Sequence, residues 1–404
     1  MKESSYIYRT LEEDLKKAAN HFPAVVVTGS RQTGKSTLLK KMFPKATILS
    51  FDDPALVEEA VKDPRLFLEK YAEPLILDEI QYVPELLSYL KIRIDSDRSR
   101  YGRFFLTGSA QFALMKNLSD SLAGRIAVLE LFPFSLEEKR RALRKDKKTW
   151  GFEQAYVHAC LRGSYPEVIV QKNIDPKQWY GSYIRTYLER DVRNVVNIGD
   201  LRDFQRFLTL LAGHCAQLLN LSSLSSDIGI SVKTAKHWLS VLEASRIVYL
   251  LYPYYQSHKK RIIRQPKIYF FDLGLVCHLL GIDDKTFLFK GPLAGALFEN
   301  FCVQETIKIL LEKSPLHQPY YLRTSNGLEV DLLIEKSGIL YPIEWKLSKT
   351  PRSVMARPIE LFKKLFHDWQ ISIGRMISLA DVSRSLTSDV ALQKFDEYLE
   401  WLKK

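Results

Sequence analysis

The sequence predicts an α/β protein whose first domain is built on a parallel sheet. Three observations predict this class. An apolar, β-branched run, Ala24-Val25-Val26-Val27, is followed by a glycine-rich loop and then by a helical pattern. A second apolar run, Pro74–Leu77, ends in two acidic residues, and a third, Arg103–Leu106, ends in small polar residues. Strands that alternate with helical segments are typical of a parallel sheet.

The glycine-rich loop carries the phosphate-binding pattern G-x-x-x-x-G-K-[ST]. The loop and the residue after it are Gly29, Ser30, Arg31, Gln32, Thr33, Gly34, Lys35, Ser36 and Thr37. The glycines let the backbone wrap phosphates, and the amides at the helix start carry partial positive charge. We expect Lys35 to reach the β and γ phosphates and Ser36 to join a Mg²⁺ shell, so ATP and Mg²⁺ are the predicted cofactors. The alternative is a chance Gly-Lys-Ser turn.

Two acidic residues, Asp78 and Glu79, end the second apolar run. An apolar strand that ends in two acids is the Walker B arrangement, in which we expect Asp78 to hold Mg²⁺ through water and Glu79 to polarise the attacking water. Thr107, with Ser109 as the second choice, is placed to sense the γ-phosphate, unless this segment is a simple strand-to-helix turn.

The segment Ser121-Leu122-Ala123-Gly124-Arg125 precedes a further apolar strand, Ile126–Leu131. Together with the motifs above, it makes the sequence resemble the AAA+ superfamily, in particular a prokaryotic branch whose ATPase precedes a C-terminal domain of unknown function. The resemblance continues at Gly163-Ser164-Tyr165-Pro166-Glu167, Tyr187-Leu188-Glu189-Arg190-Asp191 and Phe271-Asp272-Leu273-Gly274-Leu275.

This resemblance implies an ATP-hydrolysing enzyme that assembles into a ring, for which the family suggests a hexamer. Arg125 occupies the place from which such ATPases reach a neighbour's γ-phosphate, and its alternative role is that of a structural surface arginine. Arg185, Arg190 and Arg193 are weaker candidates for the same function.

Composition and charge limit the partners. Lys and Arg number 59 against 47 Asp and Glu, which gives a net charge of +12 and favours nucleic acid as a partner, although solubility alone would also explain it. The four cysteines are far apart and show no zinc-binding spacing, so we expect buried reduced thiols. No apolar run approaches the ~18 residues of a membrane span, so the sequence predicts a cytoplasmic protein without a membrane partner.

The sequence divides into four predicted segments. Residues 1–138 are the ATPase domain, 139–200 a helical lid or linker, 201–285 a winged helix-turn-helix, and 286–404 an α/β domain like a restriction endonuclease. In the winged helix, Ser231 caps a recognition helix and a basic wing follows, unless the module only packs against protein. The predicted DNA contacts are Lys233, Thr234, Lys236, His237, Lys259, Lys260, Arg261 and Arg264.

The last segment resembles the PD-(D/E)XK nuclease core in four residues taken in chain order, Glu299, Asp331, Glu344 and Lys346. The resemblance implies that Asp331 and Glu344 hold Mg²⁺, that Glu299 completes the shell, and that Lys346 orients or deprotonates water. Arg323 is placed to contact phosphate. The nuclease fold is often retained for binding or scaffolding, so cleavage stays open.

These observations predict an oligomeric ATPase that binds and remodels or translocates DNA, branched DNA among its candidates. Two alternatives remain open. One is an ATP-gated nuclease for defence or repair, and the other is a nucleotide-switched scaffold or regulator that acts on a protein partner.

Overall fold

The structure is a computed structural model that describes residues 6–108, 122–144, 150–188, 201–254, 263–313, 318–380 and 382–404. The chain forms two compact units. The first comprises Met1–Ala142, Tyr165–Val170 and Ala244–Ile247, and the second comprises Leu143–Ser164, Gln171–Glu243 and Val248–Lys404. Within the described residues, no helix combines the length and the apolar character needed to cross a bilayer.

The first unit is built on a five-stranded parallel sheet in the order β2-β3-β4-β1-β5. The strands are β1 Ala24–Thr28, β2 Thr47–Ser50, β3 Leu75–Asp78, β4 Phe104–Thr107 and β5 Ile126–Glu130. The strands β1, β3, β4 and β5 agree to within one residue at each end with the apolar runs that the sequence predicts as strands. Because β4 lies between β1 and β3, the loop after β1 and the acids after β3 flank the end of β4.

Helices cover both faces of this sheet because side chains alternate along each strand. Ala24 and Val26 pack into one buried apolar cluster, and Val25 and Val27 pack into another. The helices of this unit are α1 Glu12–His21, α2 Lys35–Met42, α3 Pro54–Lys62, α4 Pro64–Lys70 and α5 Leu86–Asp95, and α6 Leu136–Arg144 begins in it. Asp53 caps α3 by accepting a hydrogen bond from the Ala55 amide, so one of the two acids after β2 has a capping role.

Residues from two of the motifs on which the family resemblance rests meet in the second unit. The Asp272 carboxylate accepts hydrogen bonds from the Ser164 amide at 2.6 Å and from the Tyr180 hydroxyl at 2.6 Å. Gly163 has a φ of +77°, and a Cβ there would overlap the Tyr180 hydroxyl and the Asp272 carboxylate. These two motifs therefore meet in a buried structural junction. The helices are α7 Phe152–Arg162, α9 Pro176–Tyr183 and α13 Leu273–Leu279, and the short helix α8 Pro166–Val170 belongs to the first unit.

Three helices and a two-stranded antiparallel sheet follow, α10 Leu201–Gly213, α11 Leu221–Ile228, α12 Val232–Ala244, β6 Val248–Leu251 and β7 Lys267–Phe270. Gly229 ends α11 in the left-handed region with a φ of +85°, which glycine adopts without strain. Ser231 accepts a hydrogen bond from the Thr234 amide at 3.0 Å, so it caps α12 as the sequence predicts.

The C-terminal part contains a mixed six-stranded sheet in the order β12-β13-β11-β10-β9-β8. Its strands are β8 Pro319–Arg323, β9 Glu329–Lys336, β10 Ile339–Lys346, β11 Gly374–Ser378, β12 Arg384–Ser385 and β13 Val390–Gln393, and its helices are α14 Lys285–Lys290, α15 Ala294–Lys313, α16 Arg357–Leu365 and α17 Phe395–Leu402. The helical pattern of apolar residues from Leu392 to Leu402 predicts a terminal helix that starts three residues earlier than the observed α17. Leu392 lies in β13 and is buried like Val390, which is the two-residue period of a strand.

The four cysteines are buried free thiols, as the sequence predicts.

Candidate functional site

The phosphate-binding loop lies between β1 and α2. Gly29 has a φ of +133°, and a Cβ at this position would overlap the Leu131 carbonyl oxygen. Gly34 precedes α2 with a φ of +91°. Both glycines of the motif therefore hold backbone conformations that other residues rarely adopt. The Lys35 ammonium donates to the Gly29 carbonyl at 3.0 Å and to the Ser30 carbonyl at 2.9 Å, which folds the lysine over the loop.

Three side chains meet where β3 and β4 end. Asp78 Oδ1 accepts hydrogen bonds from the Ser36 hydroxyl at 2.6 Å and from the Thr107 hydroxyl at 2.5 Å. The register explains this, because Leu77 is opposite Leu106 and Val27 is opposite Thr107. Thr107 is therefore level with Asp78 on one side and with the start of the phosphate loop on the other.

Glu79 lies just beyond the end of β3 in an unusual backbone conformation. Its φ is +58°, in the left-handed region that costs a non-glycine residue free energy. Its amide donates to Thr107 Oγ1 at 3.0 Å, and its carboxylate accepts a hydrogen bond from Gln81. Thr107 thus fixes both acids of the motif, Asp78 through its hydroxyl hydrogen and Glu79 through its backbone.

These residues fit ATP and Mg²⁺. Mg²⁺ prefers oxygen ligands and usually keeps several waters, with one or two protein groups and the phosphates completing its shell. The adjacent Ser36 hydroxyl and Asp78 carboxylate are such groups, and Lys35 with the amides at the start of α2 would hold the phosphates. Thr37 is exposed on α2, next to Ser36. Ser109 lies outside the described residues.

Arg9 is a residue of this site that the sequence analysis missed. It is 4% exposed, and its guanidinium donates to the Thr33 carbonyl of the phosphate loop at 2.7 Å, to the Phe132 carbonyl at 2.6 Å and to Glu138 Oε1 at 2.9 Å. The Glu138 carboxylate also accepts hydrogen bonds from the amides of Thr10 and Ser135. No local pattern could have found this pair, because its partners are 129 residues apart.

Arg125 lies at the opposite end of the strands from the phosphate loop. Ile126 is paired in parallel with Ala24 at the start of β1, whereas the loop follows the end of β1. The Arg125 guanidinium makes a two-bond contact with the Asp95 carboxylate, at 2.7 and 2.9 Å. Arg125 is therefore too far from its own subunit's loop to act there. Of the weaker candidates, Arg185 is exposed, and Arg190 and Arg193 lie outside the described residues.

The four nuclease-like residues come together in the second unit. Asp331 on β9 and Glu344 on β10 are buried, Asp331 Oδ2 accepts a hydrogen bond from the Trp345 amide at 3.0 Å, and Lys346 donates to Glu344 Oε1 at 2.6 Å. Glu299 on α15 is close enough to these acids for their charges to interact. Arg323 is 3.1 Å from Glu329 Oε2 and partly exposed.

Lys267, on β7, enters this cluster and was not predicted to do so. Its ammonium lies 2.9 Å from Glu299 Oε1, 2.5 Å from Glu329 Oε1 and 4.0 Å from Asp331 Oδ1. Tyr269, two residues along the same strand, donates to Glu299 Oε1 at 2.6 Å. The sequence could have indicated that these two side chains belong to a polar site, because Lys267 and Tyr269 share one face of a strand that is otherwise apolar.

The electrostatics of the cluster follow from its burial. Burial raises the pKa of Glu299 to about 7, although the positive charge of Lys267 acts to lower it. Burial and the charge of Asp331 raise the pKa of Glu344 to about 8. Burial would lower the pKa of Lys267, but Glu299, Asp331 and Glu329 raise it above its usual range, so Lys267 is charged at neutral pH.

The cluster does not fit a divalent metal as it stands. Within the described ranges, no three His, Cys, Asp or Glu side chains are grouped so that they could hold a metal ion. The predicted ligands Glu299, Asp331 and Glu344 instead direct oxygens at Lys267, the Trp345 amide and Lys346. The geometry therefore favours an internally paired cluster over the metal site that the sequence suggested.

The protein is similar over most of its length to the uncharacterized protein Rv2008c of Mycobacterium tuberculosis, with 33% identity over 352 residues, 86% of this chain and 76% of the relative. The chain belongs to the Rv2008c family. Within it, residues 21–139 match the family described as AAA domain. This matched region includes the phosphate loop and both acids after β3, so the protein carries an AAA-type ATPase domain.

The second unit of this Rv2008c-family chain matches two domains of unknown function, over residues 153–286 and 294–391 (DUF4143). A more distant relative is the uncharacterized protein MJ1544 of Methanocaldococcus jannaschii, 24% identical over 86% of this chain and 79% of the relative. Among solved structures, a Walker-type ATPase of Pyrococcus abyssi aligns with a TM-score of 0.42 at 16% identity, covering 69% of this chain and 97% of that one. The RuvB Holliday junction branch migration motor of Thermotoga maritima aligns with a TM-score of 0.33 at 16% identity, covering 60% of this chain and 89% of that one. Both overlaps are too loose to add to the assignment.

The predicted DNA contacts differ in their surroundings. Lys233, Lys236 and His237 are exposed on α12, and Arg264 is exposed before β7. The Thr234 hydroxyl is 2.8 Å from the Ser231 hydroxyl, so it belongs to the helix cap. Lys259, Lys260 and Arg261 lie outside the described residues.

The buried acids predict a pH dependence of stability. The pKa of Glu344 is raised in the folded protein from an ordinary value of 4.5 to about 8, so the folded state binds more protons than the unfolded state between these values. We expect the free energy of unfolding to fall as the pH rises through this window, and to fall less in Glu344→Gln. Urea unfolding at a series of pH values measures this. A pH slope unchanged by Glu344→Gln would contradict it.

Proposed function

We propose that the chain is an oligomeric ATPase that hydrolyses ATP with Mg²⁺ and uses the reaction to bind and remodel or translocate DNA, branched DNA included. The observation that carries the ATPase part is the contact of Ser36 and Thr107 with Asp78 at the edge of the sheet where the phosphate loop opens. This contact supports a site in which Lys35, Ser36 and the acids Asp78 and Glu79 surround the γ-phosphate.

Each residue has a distinct role in this proposal. Lys35 and the amides at the start of α2 bind the phosphates, and bound Mg²⁺ neutralises charge on the β and γ phosphates. Ser36 and Asp78 hold the metal, and Thr107 keeps Asp78 and the Glu79 backbone in place. Glu79 then accepts a proton from the attacking water.

An oligomer is part of the proposal because Arg125 is remote from its own loop. An arginine that stabilises phosphoryl transfer can come from a neighbouring subunit. The position of Arg125, at the strand ends away from the loop, supports a role on a neighbour's nucleotide after it leaves Asp95. A head-to-tail contact of this kind closes into a ring, and we propose a hexamer.

DNA as the partner rests on charge and on the helix α12. Lys233, Lys236 and His237 are exposed on this capped helix, and the chain carries a net charge of +12. We propose that residues 201–285 act as a winged helix whose cations contact phosphates, which positions DNA without reading its sequence.

Two alternatives have weaker support. The meeting of Asp331, Glu344 and Lys346 favours an ATP-gated nuclease, but the place of Lys267 opposes it. A switch that acts on a protein partner is the alternative if DNA does not bind.

The first experiment measures ATP hydrolysis of the full chain with no DNA and with single-stranded, duplex or branched DNA. We expect DNA to stimulate the wild type and Lys35→Ala to be inactive under all four conditions. The variant Lys233→Glu/Lys236→Glu is expected to lose DNA stimulation while its basal rate stays, and Lys16→Glu/Lys17→Glu, with the same charge change on the exposed side of α1, is the matched control.

Hydrolysis that no DNA affects would contradict the DNA part of the proposal and favour a protein partner. Equal loss of stimulation in both double variants would show that only total charge matters and that α12 has no special role. Absence of hydrolysis in the wild type with every DNA would contradict the ATPase part.

A further inference from the structure

We propose that Lys267 is a permanent internal counter-ion of the C-terminal acidic cluster and takes the place that a divalent metal holds in a nuclease-like site. The inference goes beyond the ATPase function and is independent of it. It assigns to the second unit a cluster that is complete without metal, and it follows from the contacts of one lysine on β7.

The lysine is held at the centre of the acids. Its ammonium contacts Glu329 Oε1 at 2.5 Å and Glu299 Oε1 at 2.9 Å, and Asp331 Oδ1 is 4.0 Å away. An ammonium surrounded by three carboxylates supplies the positive charge that a metal would otherwise provide. Such charge-assisted hydrogen bonds are stronger than those between neutral groups.

The lysine cannot easily leave this position. Lys267 is 2% exposed, and its backbone is paired with Leu251 on the neighbouring strand β6. Moving the side chain into water would leave the buried Asp331 and the partly buried Glu299 and Glu329 without this counter-charge, which is unfavourable. The lysine is therefore part of the folded core, unlike a mobile surface residue that a metal could displace.

Three of the oxygens that a metal could use already accept hydrogen bonds within the protein. Glu299 Oε1 accepts from both Lys267 and Tyr269. Asp331 Oδ2 accepts from the Trp345 amide, and Glu344 Oε1 accepts from Lys346. Glu344 Oε2 is buried with no hydrogen-bond partner in the described part of the chain, and Asp331 Oδ1 faces the Lys267 ammonium at 4.0 Å, so an ion between these two oxygens would lie beside a fixed positive charge.

Charge gives the same result. Around the four acids Glu299, Glu329, Asp331 and Glu344 lie three cations, Lys267, Arg323 and Lys346. A divalent ion beside Lys267 would meet a positive charge within a few ångströms, in surroundings where charges interact more strongly than in water. The charge of Lys267 therefore opposes the binding of the ion that the sequence motif suggests.

The test measures Mn²⁺ binding to the nucleotide-free full chain. The electron paramagnetic resonance signal of free Mn²⁺ reports how much of the ion stays unbound. We expect no binding that depends on Asp331 in the wild type at millimolar Mn²⁺. In Lys267→Met, which keeps the length of the side chain and removes its charge, we expect affinity to rise by about tenfold or more, because the repulsion is gone. Adding Asp331→Asn to this variant is expected to abolish the gain.

The matched control is Lys308→Met, which removes another buried lysine, one that is paired with Glu305 on α15. It is expected to gain no Mn²⁺ site. If Lys267→Met does not fold, Mn²⁺ binding is compared between the wild type and Asp331→Asn, and this comparison is sufficient to test the proposal. Mn²⁺ that binds the wild type and is lost in Asp331→Asn overturns the proposal, as does metal-dependent DNA cutting lost in the same variant. Binding that survives Asp331→Asn is at another site and supports it.

Discussion

Replacing Glu79 with glutamine is expected to lower the rate of ATP turnover by about 10²–10⁴-fold, the usual contribution of a general base. Glutamine keeps the size of the side chain and its hydrogen bond with Gln81, but it cannot accept a proton from water. The Asp78 contacts with Ser36 and Thr107 do not involve the Glu79 side chain, so they remain. Phosphate release under saturating ATP measures the loss.

The same variant is expected to bind ATP about as tightly as the wild type, because the interaction removed is made with the attacking water and not with the phosphates. Binding of a fluorescent ATP analogue checks this. Glu85→Gln, which changes an exposed carboxylate six positions along the chain, is the matched control and should keep full turnover. A Glu79→Gln protein with more than half of the wild-type rate would show that another group activates the water.

Replacing Glu138 with glutamine is expected to lower the free energy of unfolding of the ATPase unit by about 3–5 kcal/mol, as the removal of one partner from a buried ion pair does. The change preserves shape but leaves the Arg9 guanidinium buried without its counter-charge. Thermal unfolding measures it, and the relevant transition is the one that ATP shifts to higher temperature. Since Arg9 also binds the Thr33 carbonyl, weaker ATP binding should accompany the loss.

The effect of Glu138 also depends on pH. Burial would raise the pKa of Glu138, but Arg9 and hydrogen bonds from the Thr10 and Ser135 amides lower it below the ordinary value of 4.5. A carboxyl whose pKa is lowered on folding stabilises the protein above that ordinary value, and the stabilisation is lost as the pH falls below it. The difference between wild type and Glu138→Gln should therefore be full at neutral pH and shrink in acid.

The matched control for this prediction is the neighbouring residue. Glu137 forms a surface ion pair with Arg141 and is 45% exposed, so Glu137→Gln should change stability by less than about 1 kcal/mol. Equal destabilisation by the two changes would mean that the Arg9 pair has no special weight in the fold.

The nucleotide site could be predicted from sequence because its residues lie in short, contiguous patterns. Gly29 to Ser36 fill one turn between a strand and a helix, and Asp78 and Glu79 end one strand. Their chemistry needs glycine conformations and adjacent acids, so the pattern is local. The parallel sheet could be predicted for the same reason, since each strand is an apolar run of β-branched and other large side chains. The four nuclease-like residues were also found in order.

Tertiary structure decided what depends on contacts between distant segments. The pairing of Arg9 with Glu138 and the entry of Lys267 among Glu299, Glu329 and Asp331 join residues that no local pattern connects. The sequence by itself determined which groups an ATPase site contains. Only the fold decided which buried charges neutralise one another, because a buried charge is stabilised by whichever opposite charge the packing brings within a few ångströms.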